Sequence, residues 1–295
     1  MKFYSKNPQY EHLRKKWLAK HKALSDKLLV DNSSSLRRAA IGGLGGMVLL
    51  TTPAAAIFPG VADSLASFPQ GSSINKAEDK NKLLAEALKD QVPGEVGKLT
   101  PQEEEKIRQT VSQKLDIRVA AEIEGIRLNR SYGLIGGEQH LYRYPGDDLF
   151  KHADNASDWA MYGPAGMAPG LGAWGYFAPS QAAFTAKDKE RERYYLAVQT
   201  FLAPGFAENV GKFRDFFKFR KMVVVNPQSG QAVVAVVGDA GPAEWTGKHL
   251  GGSPEVMHFL GLAKGPRKGP VLYFFVDDPQ DEVPLGPISI KEGKN

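Results

Sequence analysis

Three short runs in the last third of the chain, "KFRKMVVVN", "QAVVAVVGD" and "GPVLYFFVDD", constrain the fold most. Each is rich in β-branched or aromatic residues and is bounded by turn formers, which is the pattern of strands rather than helices. The first two are separated by "PQSG", a hairpin-like connection. From Ser131 onward Gly, Pro and aromatics dominate "YGLIGGEQHLYRYPGDD" and "MYGPAGMAPGLGAWGYFAP", where helix propensity is poor. The expected fold is mainly β, a small barrel spanning residues 131–290, with a Gly/aromatic-rich first part. Residues 131–203 either complete this barrel or wrap it as a cap.

What precedes the barrel has a different grammar. Residues 1–38 hold ten Lys/Arg against three acids, while the rest of the chain holds 28 basic and 30 acidic residues. The basicity therefore belongs to the tail, and no nucleic-acid partner is expected for the remainder. Residues 39–62, "AAIGGLGGMVLLTTPAAAIFPGVA", carry no charge. About 20 apolar residues span a bilayer, and flanking Lys/Arg mark the cytoplasmic side. The segment reads as a transmembrane anchor, or as a signal peptide with a small-residue site at Pro53 to Ala56. On either reading the β domain lies outside the cytoplasm. Leu13, Trp17, Leu18, Leu24 and Leu28 stand among lysines, either as an amphipathic helix on an anionic inner leaflet or as a plain positive-inside tail.

Residues 63–130 read as a polar linker and helical stalk. A helix is expected from Lys80 to Lys89, and a longer one from Thr100 to Ile126, with Thr100 as cap, Pro101 in its first turn and Glu103 closing a capping box. Ile107, Val111, Leu115, Val119 and Ile123 recur every four residues, a stripe to be packed on the domain behind it or used for self-association. Cysteine is absent, so disulfides, thiol nucleophiles and thiolate zinc sites are excluded, and no cofactor or metal is expected.

"VVVNPQSGQAVVAVVGDAGPAEWTGKHLGGSPEVMHFLGL" resembles the double-psi β-barrel domain of the rare lipoprotein A family, in an ordered series of features over Arg220 to Phe275. Expansins and some endoglucanases share that barrel. The resemblance implies a glycan-holding groove, a bacterial envelope setting and lytic cleavage of peptidoglycan. Asp239 takes the place of the family aspartate, Gly241 and Pro242 keep theirs, and Ser253 stands where a serine caps a helix. Ala240 replaces the family arginine, and Gly251 falls where a second aspartate would lie.

Asp239 is thus the candidate catalytic acid/base, or an aspartate that bonds the amides of its own turn. A lytic transglycosylase uses the sugar's own hydroxyl as nucleophile, so one carboxyl suffices. Glu138 and His140 share a face if their segment is extended, and His152 or Asp148 would have to converge on them to make a metal site. Trp174, Tyr176, Trp245 and His249 complete the candidate substrate-binding set, drawn from an aromatic group that includes Trp159, Tyr162 and Phe177. Glu255, near the start of a helix capped by Ser253, reads as a charge favourable to that helix, and His258 lies one turn further on. The expected function is to act on peptidoglycan as a lytic transglycosylase. The alternatives are a non-catalytic, expansin-like glycan-binding module and a structural envelope component.

Overall fold

The computed structural model describes residues 72–290, with side chains from Lys80 onward. The basic tail and the uncharged run at 39–62 lie outside the described residues. Among the described residues no helix is long and apolar enough to cross a membrane.

The chain opens with helix α1 (Ser72–Lys89) and helix α2 (Pro101–Leu115). The start of α2 is written locally: the Thr100 side chain accepts from the Glu103 amide, and Glu103 accepts from the Thr100 amide at 2.7 Å. Thr100→Ala is expected to cost about 1 kcal/mol, read by urea denaturation as a lower midpoint at unchanged slope. The helix is shorter than its periodicity suggests. It stops at Leu115, where Asp116 takes a left-handed conformation (φ 53°). Val119 and Ile123 continue the four-residue spacing but belong to the short strands β1 (Val119–Ala120) and β2 (Glu122–Ile123), the latter paired with β3 (Ile126–Arg127).

Six further strands close into a ring. These are β4 (Tyr132–Gly137), β5 (Tyr195–Val198), β6 (Lys221–Val225), β7 (Ala232–Ala240), β8 (Leu250–Gly252) and β9 (Lys268–Val276). Going round, the order is β9, β4, β8, β5, β7, β6 and back to β9. Two pairs, β4 with β8 and β5 with β7, are parallel and the others antiparallel. Strand β1 extends the edge of β9, and β10 (Gly286–Ile288) that of β7. The three runs singled out in the sequence are β6, β7 and β9.

Their lack of polar alternation follows from burial on both faces. Met222, Val224, Val233, Ala235, Val237, Tyr273 and Phe275 point into the barrel. Its interior is plugged by Phe213, Phe216 and Phe217 of helix α5 (Val210–Phe217) and by Val256 and Met257 of helix α6 (Pro254–Phe259). The alternate residues, Val223, Val225, Val234, Leu272 and Phe274, point outward and are covered by Leu84 and Leu88 of α1 and Ile107, Val111 and Leu115 of α2. The stripe on α2 is therefore packed on the barrel behind it.

Residues 131–203 do both things the sequence left open. β4 and β5 complete the barrel, while the intervening residues cap its outer face. The cap contains helix α3 (Ala156–Tyr162) and leads into helix α4 (Ala186–Arg193).

Candidate functional site

Asp239 lies near the end of β7, opposite Ala197 of β5, which in turn faces Gly251 of β8. Leu196 and Val237 point inward, and the register shift that follows them, which skips Gly238, sets Asp239 beside Ala197 in the row that continues to Gly251 on the outside of the barrel. The Asp239 carboxyl is half-buried. Its Oδ1 accepts the backbone amides of Ala173 (2.6 Å) and Ala240 (2.8 Å), so it ties its own turn and also holds the glycine-rich cap. Burial raises its pKa above the ordinary aspartate value, although the two amides pull the other way. Gly172 lies beneath it, close enough that a Cβ there would press on Leu141 and touch the Asp239 carboxylate.

Where the resemblance places a second aspartate, a carboxylate does arrive, but from another strand. The Glu138 side chain crosses directly over Gly251, and a Cβ at Gly251 would overlap its Oε1. Lys248 Nζ holds that oxygen at 2.9 Å. Asp239 and Gly251 are two strand spacings apart, roughly 9–10 Å. The missing aspartate and the unexplained Glu138 are thus linked: the side chain that sequence reasoning set beside His140 occupies the space left by a glycine 113 positions later.

His140 does not border that face. It is 1% exposed and turns the other way, into the cap, so Glu138 and His140 are not brought together. His249 is also turned away from a ligand. Its Nδ1 accepts the Leu134 amide and its Nε2 lies 2.9 Å from Arg130, while burial and then the Arg130 charge lower its pKa. His258 is exposed, edge-on to Tyr162.

The aromatic set divides sharply. Trp174 donates its Nε1–H to the Val237 carbonyl and packs on the core, Tyr162 is buried, Trp159 stacks on Phe150, and Phe177 stacks on Phe219. Tyr176 (38%) and Trp245 (89%) keep exposed rings. Tyr176 follows Ala173, whose amide bonds Asp239, by three residues, and Trp245 lies in the turn Glu244–Thr246 shortly after Asp239 in the chain. A separate groove of about 530 Å³, lined by Leu88, Val92, Tyr132 and Pro227 among others, contains none of these residues.

Beneath the cap lies a second polar centre. The Glu192 carboxylate of α4 faces His140 Nδ1 (3.3 Å) and His152 Nδ1 (3.1 Å), and it also accepts the Leu141 amide. Asp147 faces His152 Nε2 at 2.9 Å and is gripped by the Arg143 guanidinium through both carboxylate oxygens. Burial would raise the Glu192 pKa, but the two imidazoles hold it at about 2. For His152 burial acts downward, and the bonds to Asp147 and Glu192 more than offset it, giving about 9. Glu255 is a correction to the sequence reading. It is 2% exposed at the start of α6, and burial, followed by the Glu192 charge, pushes it to about 8, so burial disfavours the charge that the sequence reading took as helpful to the helix. His140, His152 and Glu192 are the described residues whose donor atoms could share a metal ion. Asp148, the other residue considered, is exposed and caps the turn Leu149–His152.

Glu192 was missed because "AKDKERER" reads as a solvated charged helix. The one available signal was that this helix has no apolar stripe at all, so that whichever face packs inward must be charged. Asp188 and Glu192, four apart, are that face.

The fold and site define a class: a closed six-stranded mixed β-barrel, compatible with a double-psi arrangement, whose outer face carries a capped carboxylate site. No family model, no curated protein and no solved structure matches the chain.

Proposed function

We propose that this is a bacterial envelope protein whose barrel binds a peptidoglycan strand on the face around Asp239 and cleaves it as a lytic transglycosylase. The observation that carries the reading is the setting of Asp239. One carboxyl oxygen is fixed by two backbone amides, the group is partly desolvated, and exposed aromatic rings stand on both adjoining segments. Fixing Oδ1 by amides leaves Oδ2 as the oxygen to carry a proton. Asp239 then protonates the glycosidic oxygen as the bond to the anomeric carbon breaks. The sugar's own 6-hydroxyl attacks that carbon, and its proton returns to Asp239, giving a 1,6-anhydro end without water. Exposed Tyr176 and Trp245 supply faces for sugar rings. The sequence resemblance to the rare lipoprotein A family supports the same chemistry, and the basic tail followed by the uncharged run supports an envelope location.

The test is incubation of the protein with denuded peptidoglycan strands, followed by mass spectrometry for 1,6-anhydro ends. Their appearance supports the reading. Co-sedimentation with glycan without them would make the barrel a binding module in which Asp239 only ties its turn, as the loss of the family arginine at Ala240 would favour. Trp245→Ala is expected to leave the melting temperature unchanged, because the ring is 89% exposed. It should weaken sedimentation with sacculi about 3- to 10-fold, the worth of one stacking face.

A further inference from the structure

The buried centre under the cap plays no part in glycan chemistry at Asp239. Its members come from three separate segments, yet one donor atom each from His140, His152 and Glu192 lies within 4.8 Å of the others. All three residues are at least 95% buried.

The outer nitrogens of the two imidazoles each face an acceptor. His140 Nε2 faces the Tyr162 carbonyl at 3.3 Å, and His152 Nε2 faces an Asp147 oxygen that Arg143 also holds. A carbonyl and a carboxylate only accept, so in the metal-bound form an Nε2–H on each ring has an acceptor waiting. This leaves both Nδ1 atoms directed at Glu192, at 3.3 Å and 3.1 Å from its two oxygens. With Nε2 as the donor nitrogen, both Nδ1 lone pairs and the Glu192 carboxylate converge on one buried space, a donor set that a cation can share.

Charge and spacing agree. Arg143 neutralises Asp147, which leaves Glu192 as the carboxylate facing both Nδ1 atoms. Donors about 2.1 Å from a tetrahedral ion lie roughly 3.4 Å from one another, close to the spacing found here. Second contacts from a carboxylate and a backbone carbonyl to the outer imidazole nitrogens are the usual support for metal-bound histidines.

The geometry points to a buried site for a divalent cation of the zinc class, held by His140 Nδ1, His152 Nδ1 and the Glu192 carboxylate, which fastens the cap to α4. Nitrogen-rich, buried ligands favour zinc over magnesium or calcium. The site stands whether or not Asp239 cleaves glycan.

The test uses the untagged full chain, stripped with a chelator and titrated with zinc or cobalt(II). We expect about one zinc per chain after dialysis, a tetrahedral cobalt absorption spectrum, and a melting temperature raised by zinc. His152→Cys should keep the cobalt and add a thiolate-to-cobalt charge-transfer band, a signature that a purely structural histidine would not produce. Glu192→Gln and His140→Ala should lose the tetrahedral spectrum. The proposal is overturned if the folded wild type retains neither metal, or if His140→Ala with Glu192→Gln stays folded and keeps the same cobalt spectrum. Should those variants fail to fold, the wild-type spectrum and the His152→Cys band decide.

Discussion

Asp239→Asn is expected to reduce the release of 1,6-anhydro ends by 10²- to 10⁴-fold or so, the usual contribution of one acid/base group, at almost unchanged stability. Stability is preserved because the asparagine side-chain oxygen can still accept the amides of Ala173 and Ala240. The variant thus separates the two roles the sequence left open. Glu138→Gln is the informative control. Glu138 is neutralised by Lys248, so a single-acid mechanism retains its activity in this variant. If Glu138→Gln is inactive and the wild-type products have hydrolysed rather than anhydro ends, the two carboxylates act as a pair and the lytic mechanism is wrong.

The pH dependence has a definite sign. A general acid must be protonated in the free enzyme, and burial raises the Asp239 pKa above its ordinary value. kcat/KM should therefore be highest in mild acid and fall as pH rises through that raised pKa. A rate that climbs with pH over the same range would remove Asp239 from the acid role.

Gly230→Ala is expected to be the most damaging single-methyl change in the barrel. Gly230 ends the β6–β7 turn at φ +72°, and its Cα abuts the backbone of α1, so that a Cβ would overlap the Asn81 carbonyl oxygen. Left-handed backbone costs an L-residue roughly 1–2 kcal/mol, and forcing a methyl into a packed contact roughly 1–3 kcal/mol more. A loss of about 2–5 kcal/mol should lower the melting temperature by roughly 5–15 °C. Displacing α1 also uncovers Leu84 and Leu88, which are otherwise fully buried. Gly94→Ala is the matched control: nothing lies within 4 Å of its Cβ position, and its melting curve should coincide with that of the wild type. Equal curves for the two variants would mean that α1 does not dock on this turn.

The elements legible in the sequence are those whose cause is local. The capping box at Thr100, the serine cap at Ser253 and the strand runs of β6, β7 and β9 each depend on residues a few positions apart, and each forms where expected. The end of α2 was illegible because its apolar period runs on unbroken into β1 and β2. Only the left-handed Asp116 interrupts it, without a glycine to signal the break. Of the candidate site, the position of Asp239 at a strand end was readable from the Val-Val-Gly-Asp run and its Gly-Pro turn.

By itself the sequence determined the helix starts at Thr100 and Ser253, the barrel's apolar runs and the charge step at Arg38, because backbone preference, capping and hydrophobic period act over one or two turns of chain. Tertiary structure alone decided which polar groups meet. It sent Glu138 over Gly251, turned His140 inward to Glu192 of a helix some 50 residues away, and buried Glu255 beside Arg193. The physical reason is that barrel closure sets strands remote in sequence side by side, and a charged group's partner is chosen by proximity in space and low local dielectric rather than by spacing along the chain.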